Sequence, residues 1–451
     1  MGKRAGVLTA GGVLALLVAA CQAPAPPPPS SMSLGWHASG INGPIAADPA
    51  ENLLWAMNKG TGTLTALDAS TGGVRAQHVV AMDAQEHFPT PAVVPNWVLI
   101  ESGHHVVAFS TPAVASATSW TSALLDGIVQ ARPLVVNGIV VVATENDSLY
   151  GLRLGDGTTA WGPVSIGGAE PLSHVQTFPG LGGCGDLDPL GITSNPVLDN
   201  GSVYAVGEVS TGTGAGAHPP VHKLAGLDPA TGLFTLNPIA IDPPGMNPPA
   251  EQQRAGLVAG NGHVYIGFGG LAGDCGSYHG WIVAANESDG SVAGSLEVAA
   301  ASNAGAVWAT SGPTLDSAGN VYASTGNGQG SPNPGTDYSD AVVRVSPSIS
   351  GAQTVPADYF QPAEWRSDNA ADADLGSAGP VLLPSGSQLF IIGKQHNAFV
   401  LNTSSLGGGD HLTPASRLNN ACSGGAFGQN AVLASSAYVA CSTGMQQVHL
   451  P

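Results

Sequence analysis

Charge is the scarcest property of this 451-residue chain. Asp, Glu, Lys and Arg together make up 10% of it, and 12 basic residues stand against 31 acidic ones, a formal net charge of −19. Binding a phosphate backbone needs a basic face, so the composition argues against nucleic acid as a partner. The acidity suits solubility and is compatible with a bound cation, without arguing for one. Several chemical signatures are also missing. There is no Gly-x-Ser-x-Gly elbow and no zinc-ligand spacing. There is no Cys-x-x-Cys-His for a c-type haem, and no two of the five cysteines are adjacent. His104 and His105 are neighbours in a strand-like run, so their side chains point to opposite faces and do not form a joint metal site.

What is abundant is turn chemistry. The chain has 63 Gly and 35 Pro, yet 43% of it is hydrophobic. That combination excludes a disordered polypeptide and reads as many short strands joined by tight turns. One turn recurs with its flanks: "ALDASTGGVR" at Ala66, "GLRLGDGTTAW" at Gly151 and "GLDPATGLFT" at Gly226. In each, apolar residues end a strand, a polar side chain bonds the local backbone, and Gly supplies a φ > 0 position. Around this turn a longer unit repeats eight times, starting near Ile41, Thr90, Ala131, Ser194, Ala255, Ser311, Ala378 and Gln429. The spacing is roughly 40–65 residues, the period of a four-stranded propeller blade. The eighth unit lacks an outer strand, and "SLGWHASG" around Trp36 is expected to supply it by pairing the two ends of the ring.

The N-terminus reads as an export signal. Lys3 and Arg4 precede an apolar run that is short and Gly-rich for a membrane span, then Val18-Ala19-Ala20-Cys21. The small residues before Cys21 resemble a bacterial lipoprotein signal. That resemblance implies cleavage after residue 20 and lipidation of Cys21. A Pro-rich tether at 21–33 would then hold a domain at 34–451 off the membrane. Export would place the chain in an oxidising, extracytoplasmic setting, where the other four cysteines persist as disulfides.

The repeat resembles that of quinoprotein-type eight-bladed propellers, whose "A-x-D-x-x-T-G-x-x-x-W" motif docks neighbouring blades. "LRLGDGTTAW", ending at Trp161, is the best-preserved copy with its Trp. "GCGDLDPLGITSNPV" at Gly183, "CGSYHGW" at Cys275 and "DADLGSAGPVLLP" at Asp372 are similar to stretches in bacterial PQQ-like repeat proteins. The fold implied is an all-β, eight-bladed β-propeller of four-stranded antiparallel blades. In such blades the A–B and C–D turns share one face, and these are short throughout. The B–C loops and the D-to-next-A connections share the other face and hold the long segments, including 162–193, 238–254, 269–279, 325–340 and 348–377. Long loops on a rigid scaffold are where binding sites are built. Cys184 and Cys275 both fall on that face, and Cys422 and Cys441 flank the last inner hairpin. Of the three possible pairings, Cys184–Cys275 with Cys422–Cys441 is favoured.

The quinone-dependent branch of the superfamily implies PQQ, a Ca²⁺ held by carboxylate and amide oxygens, an Asp base, a cation near the quinone and flat stacking surfaces. Residues of these types on the long-loop face are Arg254, His279, Trp308, Asn327, Asp372, Asp374 and Lys394. Each also has a structural role open to it, as a loop-stitching ion pair, a turn cap or interblade packing. The alcohol-dehydrogenase branch carries a disulfide between adjacent cysteines over its cofactor, which this chain cannot form. The expectation is therefore a membrane-anchored propeller that binds a protein partner or small ligand through its long-loop face, in the manner of outer-membrane assembly lipoproteins. A PQQ- and Ca²⁺-dependent oxidoreductase acting on alcohols or sugars is the alternative.

Overall fold

A computed structural model describes residues 1–2, 31–58, 60–111, 119–212, 218–329 and 337–451. The lipidation candidate Cys21 and most of the tether lie outside the described residues. Eight blades, each with four antiparallel strands at its core, follow one another around a ring, and the sheet of the fifth is extended to six strands. Their innermost strands are Ile45–Asp48, Ala92–Val94, Leu134–Val136, Val197–Asp199, Val258–Gly260, Thr314–Leu315, Val381–Leu382 and Ala431–Leu433. We number the blades 1–8 in that order, and each begins where the sequence repeat places it. The expected closure is present. Ser33–Ser39 pairs antiparallel with Gly444–His449 and becomes the outer strand of blade 8.

Period-two alternation explains why the blades stack. In Trp97–Ser102 of blade 2, Val98 and Ile100 pack against blade 1, while Leu99 packs against blade 3. In Ile139–Thr144 of blade 3, Val140 and Val142 face back to blade 2, while Val141 and Ala143 face blade 4. Every residue of these central strands after the first, half-buried one is thus buried on one side or the other. A further apolar cluster lies under the long loops, built on Val175, Leu181, Cys184, Leu271, Tyr278 and Ala304.

The recurrent turn is the docking device. Gly72, Gly157, Gly232 and Gly290 share φ values of 70–71°, which only Gly adopts without strain. A Cβ at the first three would stand 2.6, 2.4 and 2.5 Å from the indoles of Trp36, Trp120 and Trp161 on the preceding blade. Those indoles donate to the carbonyls of Ala69, Leu154 and Pro229 at 3.0, 2.8 and 2.8 Å. Trp36 and Trp120 therefore dock blades as Trp161 does. At Gly290 the facing side chain is Ile239, an apolar contact in place of the indole.

One strand assignment differs from the sequence expectation. The segment 348–377 is expected to be a single connection, but it contains two strands. Asp358–Phe360 is the outer strand of blade 6, and Gly351–Gln353 pairs parallel with the outer strand of blade 5, Val292–Val298. The outer edge of blade 5 had unpaired backbone groups to offer, and Gly351 at φ 64° lets the chain turn onto it. Both expected disulfides form, Cys184–Cys275 and Cys422–Cys441, with α-carbons 6.2 and 5.5 Å apart. They suit an oxidising, extracytoplasmic compartment.

Candidate functional site

A cavity of about 370 Å³ opens on the long-loop face over blades 5–7. Its walls come from B–C loops and D-to-A connections, as the loop lengths suggested. Six of the seven residues singled out from the sequence line it: Arg254, Trp308, Asn327, Asp372, Asp374 and Lys394. His279 does not. Its backbone N–H donates to Glu251 at 3.2 Å, and its Nε2 lies 3.8 Å from Glu297, behind the wall.

Local backbone pairing fixes each wall. Glu251–Gln252 pairs with Gly269–Gly270, which delivers Arg254 to the inner end of the cavity. Val307 N–H donates to Phe268 at 2.9 Å, and Gly326 N–H to Ala306 at 2.8 Å, which sets Trp308 beside the Asn327 loop. Asn303–Ala304 pairs with Gly328–Gln329. Lys394 N–H donates to the Asp374 carbonyl at 2.9 Å. The two chains meet closely there, since a Cβ on Gly393 would lie 2.5 Å from that same oxygen.

On one wall the charges are internally matched. Lys394 Nζ lies 2.7 Å from Asp372 Oδ1 and 2.7 Å from Asp374 Oδ2. Trp308 Nε1 donates to the other Asp374 oxygen at 3.3 Å, and Asn327 Nδ2 to Asp372 at 2.7 Å. The ammonium also lies 5.4 Å from the Trp308 ring centroid, within cation–π range. Burial pushes the Asp374 carboxyl above its ordinary range despite Lys394. Burial also works against the charged form of Lys394, but the two carboxylates outweigh it and hold the amine above its usual value. Behind this wall, burial, with Asp374 and Asp368 adding to it, pushes Asp340 up to about 9.

Arg254 is different. Its guanidinium lies 5.5 Å from the Phe88 ring centroid, and it makes no hydrogen bond or ion pair with the described residues. Burial lowers its pKa, with Asp186 the opposing influence. Phe88 comes from the connection between blades 1 and 2 and has φ 57°, an uncommon conformation for a bulky residue. Its ring lies 6.4 Å from both Trp308 and Phe427. Residues from distant blades therefore converge on the cavity's inner end.

Sequence reasoning missed Phe88, Asp274, Tyr278, Gln329 and Asn369. Asp274 immediately precedes "CGSYHGW" and Tyr278 lies within it, a stretch already marked by resemblance. Nothing in the pattern around Phe88 marks it, because its place depends on ring closure. Tyr278 Oη donates to Asp274 at 2.6 Å. Burial and the Asp274 charge raise its pKa.

The donor set does not fit a quinone with Ca²⁺. Both oxygens of the buried Asp374 are engaged by Lys394 and Trp308. Oδ1 of Asp372 takes both Lys394 and Asn327, which leaves one exposed carboxylate oxygen, Asp372 Oδ2, and the Asn327 Oδ1 on this wall without a partner among the described residues. The disulfide beside the cavity joins Cys184 to Cys275, 91 residues apart, and lies behind Gly273. It ties two loops together and offers no ring of adjacent cysteines for stacking.

A sequence-family model described as outer membrane protein assembly factor BamB matches residues 36–163. No curated protein matches the chain by sequence. Among solved structures, BamB from Moraxella catarrhalis is similar with a TM-score of 0.54 at 13% identity, over 93% of this chain and 100% of that one. The quinohemoprotein alcohol dehydrogenase ADHIIG from Pseudomonas putida HK5 is similar with a TM-score of 0.56 at 11% identity, over 93% of this chain and 75% of that one. A computationally designed protein, Ika8, is similar with a TM-score of 0.56 at 10% identity, over 93% and 98%. The chain is an eight-bladed β-propeller with a PQQ-like repeat, similar in fold to BamB and to the quinohemoprotein alcohol dehydrogenases.

Proposed function

We propose that the protein is an extracytoplasmic propeller, anchored through a lipidated Cys21, that binds a small ligand in the long-loop-face cavity. The observation that carries this reading is the convergence of Arg254, Trp308, Asn327, Asp372, Asp374 and Lys394 on one concave site. A concave pocket with a few convergent polar groups and perturbed titration is the usual form of a small-molecule site. The oxidoreductase alternative is disfavoured, because both oxygens of the buried carboxylate on this wall, Asp374, are already committed to Lys394 and Trp308.

A protein partner is the second reading. It is favoured by the BamB match, which covers residues 36–163, mostly blades 1–3, and includes none of the residues lining the cavity, although Phe88 packs against its inner end.

Thermal denaturation of the protein against a mixed metabolite panel, with PQQ with and without Ca²⁺ included, separates these readings. A Tm increase that is lost in Trp308→Ala supports the small-ligand reading. If nothing in the panel shifts Tm, and a protein captured from the cell envelope is released by substitutions in blades 1–3, the partner reading replaces it. A PQQ response that requires Ca²⁺ would restore the oxidoreductase.

A further inference from the structure

Two opposite charges line the cavity without pairing to each other or to another ion. Arg254 stands at its inner end with no acceptor among the described residues. Asp274 stands on the exposed rim, bonded to the Tyr278 hydroxyl and to no cation. The remaining charges, Lys394 with Asp372 and Asp374, bind one another. The lining between the two ends is about as polar as it is apolar, and its apolar part comes from Leu271, Ala304, Ala306 and Trp308. In a chain of net charge −19, a half-buried guanidinium without a hydrogen-bond acceptor, with Asp186 acting on it only through its charge, is the feature most in need of a ligand.

We propose that the cavity takes a small dipolar ligand of the amino-acid type, which enters carboxylate first, with its carboxylate on Arg254 and its ammonium on Asp274. The proposal rests on the small-ligand reading above and names the ligand class for that site. A carboxylate matches one guanidinium in a bidentate pair. A phosphate dianion would bring a second charge with no second cation to meet it, since Lys394 is already held by two carboxylates. A cation at the rim keeps part of its hydration, which an ammonium requires more than a guanidinium does. The apolar part of the lining between the two ends suits an aliphatic spacer.

The probes are a series of ω-amino acids from glycine to 8-aminooctanoate, each paired with the n-alkanoate of the same length. Binding to the full-length protein in detergent is read by calorimetry. One chain length should bind best, at least tenfold more tightly than its alkanoate partner. Asp274→Asn should remove that tenfold difference and leave alkanoate binding unchanged. Arg254→Gln should abolish binding of both, with the Tm of the apoprotein showing that the variant is folded. Equal affinity for the two members of every pair, or binding that survives Arg254→Gln, overturns the assignment. If no member of the series binds while the metabolite panel still raises Tm, the dipolar class is wrong and the small-ligand reading stands. If neither binds, both fall.

Discussion

The indole N–H of Trp161 in blade 3 donates to the carbonyl of Pro229 in blade 4 at 2.8 Å. That bond fixes the recurrent turn of one blade against the outer strand of the previous one. Gly232 completes the contact, at φ 71° and with no room for a Cβ. Gly232→Ala is expected to cost about 1–3 kcal/mol, from the left-handed backbone and the clash together. Urea unfolding checks this. A midpoint unchanged from the parent would mean that the turn is not a docking element.

The Cys184–Cys275 bridge pins the loop 271–274, which forms one cavity wall, to the connection between blades 3 and 4. It closes a long loop, so its loss is expected to destabilise the protein by about 2–4 kcal/mol. The double variant Cys184→Ser/Cys275→Ser should also show faster amide exchange in residues 269–279 than elsewhere. Uniform exchange across the ring would contradict a local role for the bridge.

Lys394 neutralises Asp374, whose side chain is only 2% exposed. Lys394→Met leaves that carboxylate buried without its cation, at an expected cost of about 3 kcal/mol at pH 7. Protonation of Asp374 removes the charge, so the cost should shrink as pH is lowered towards 4. The double variant Asp374→Asn/Lys394→Met should recover most of the loss at pH 7. Denaturant midpoints at the two pH values test both statements, and a pH-independent loss would point to lost packing of the lysine stem instead.

Glu101, at the end of a central strand of blade 2, accepts the Thr90 N–H at 2.8 Å, while its Oε2 has no partner among the described residues. Burial pushes its pKa from an ordinary value near 4.5 up to about 8, with nearby Glu86 adding to the rise and Arg132 opposing it. The folded state then holds a proton that the unfolded state releases, so stability should fall as pH rises from about 4.5 to 8. The slope from this one group is at most about 1.4 kcal/mol per pH unit. Glu101→Gln keeps an acceptor for Thr90 and should flatten that part of the profile, making the variant the more stable protein at pH 8. Parallel profiles for the two proteins would show that the carboxyl titrates normally.

The repeat was legible because each blade carries its own local signals. Gly and Asp at the turn and alternating Val, Ile and Leu in the strands act within ten residues of each other, so the eight starts and the ring closure could be read directly. The placement of six residues around one cavity was legible for a related reason. In a propeller the class of loop decides the face, so a residue's position in the repeat predicts which side of the ring it occupies. His279 shows the limit of that rule. It lies in a long loop, yet its backbone bond to Glu251 turns it behind the wall.

Composition and repeat spacing by themselves determined the number of blades, their order and the face that carries the long loops, and favoured the two disulfide pairings that the structure contains. Each of these follows from local turn chemistry or from loop class. The tertiary structure alone decided that Phe88, 166 positions before Arg254 in sequence, lies under its guanidinium. It also decided that Trp36 and Trp120 dock blades, that Gly351–Gln353 joins blade 5, and that Lys394 is already neutralised while Arg254 is not. These depend on distances between segments that meet only when the ring closes, and no local pattern carries that information.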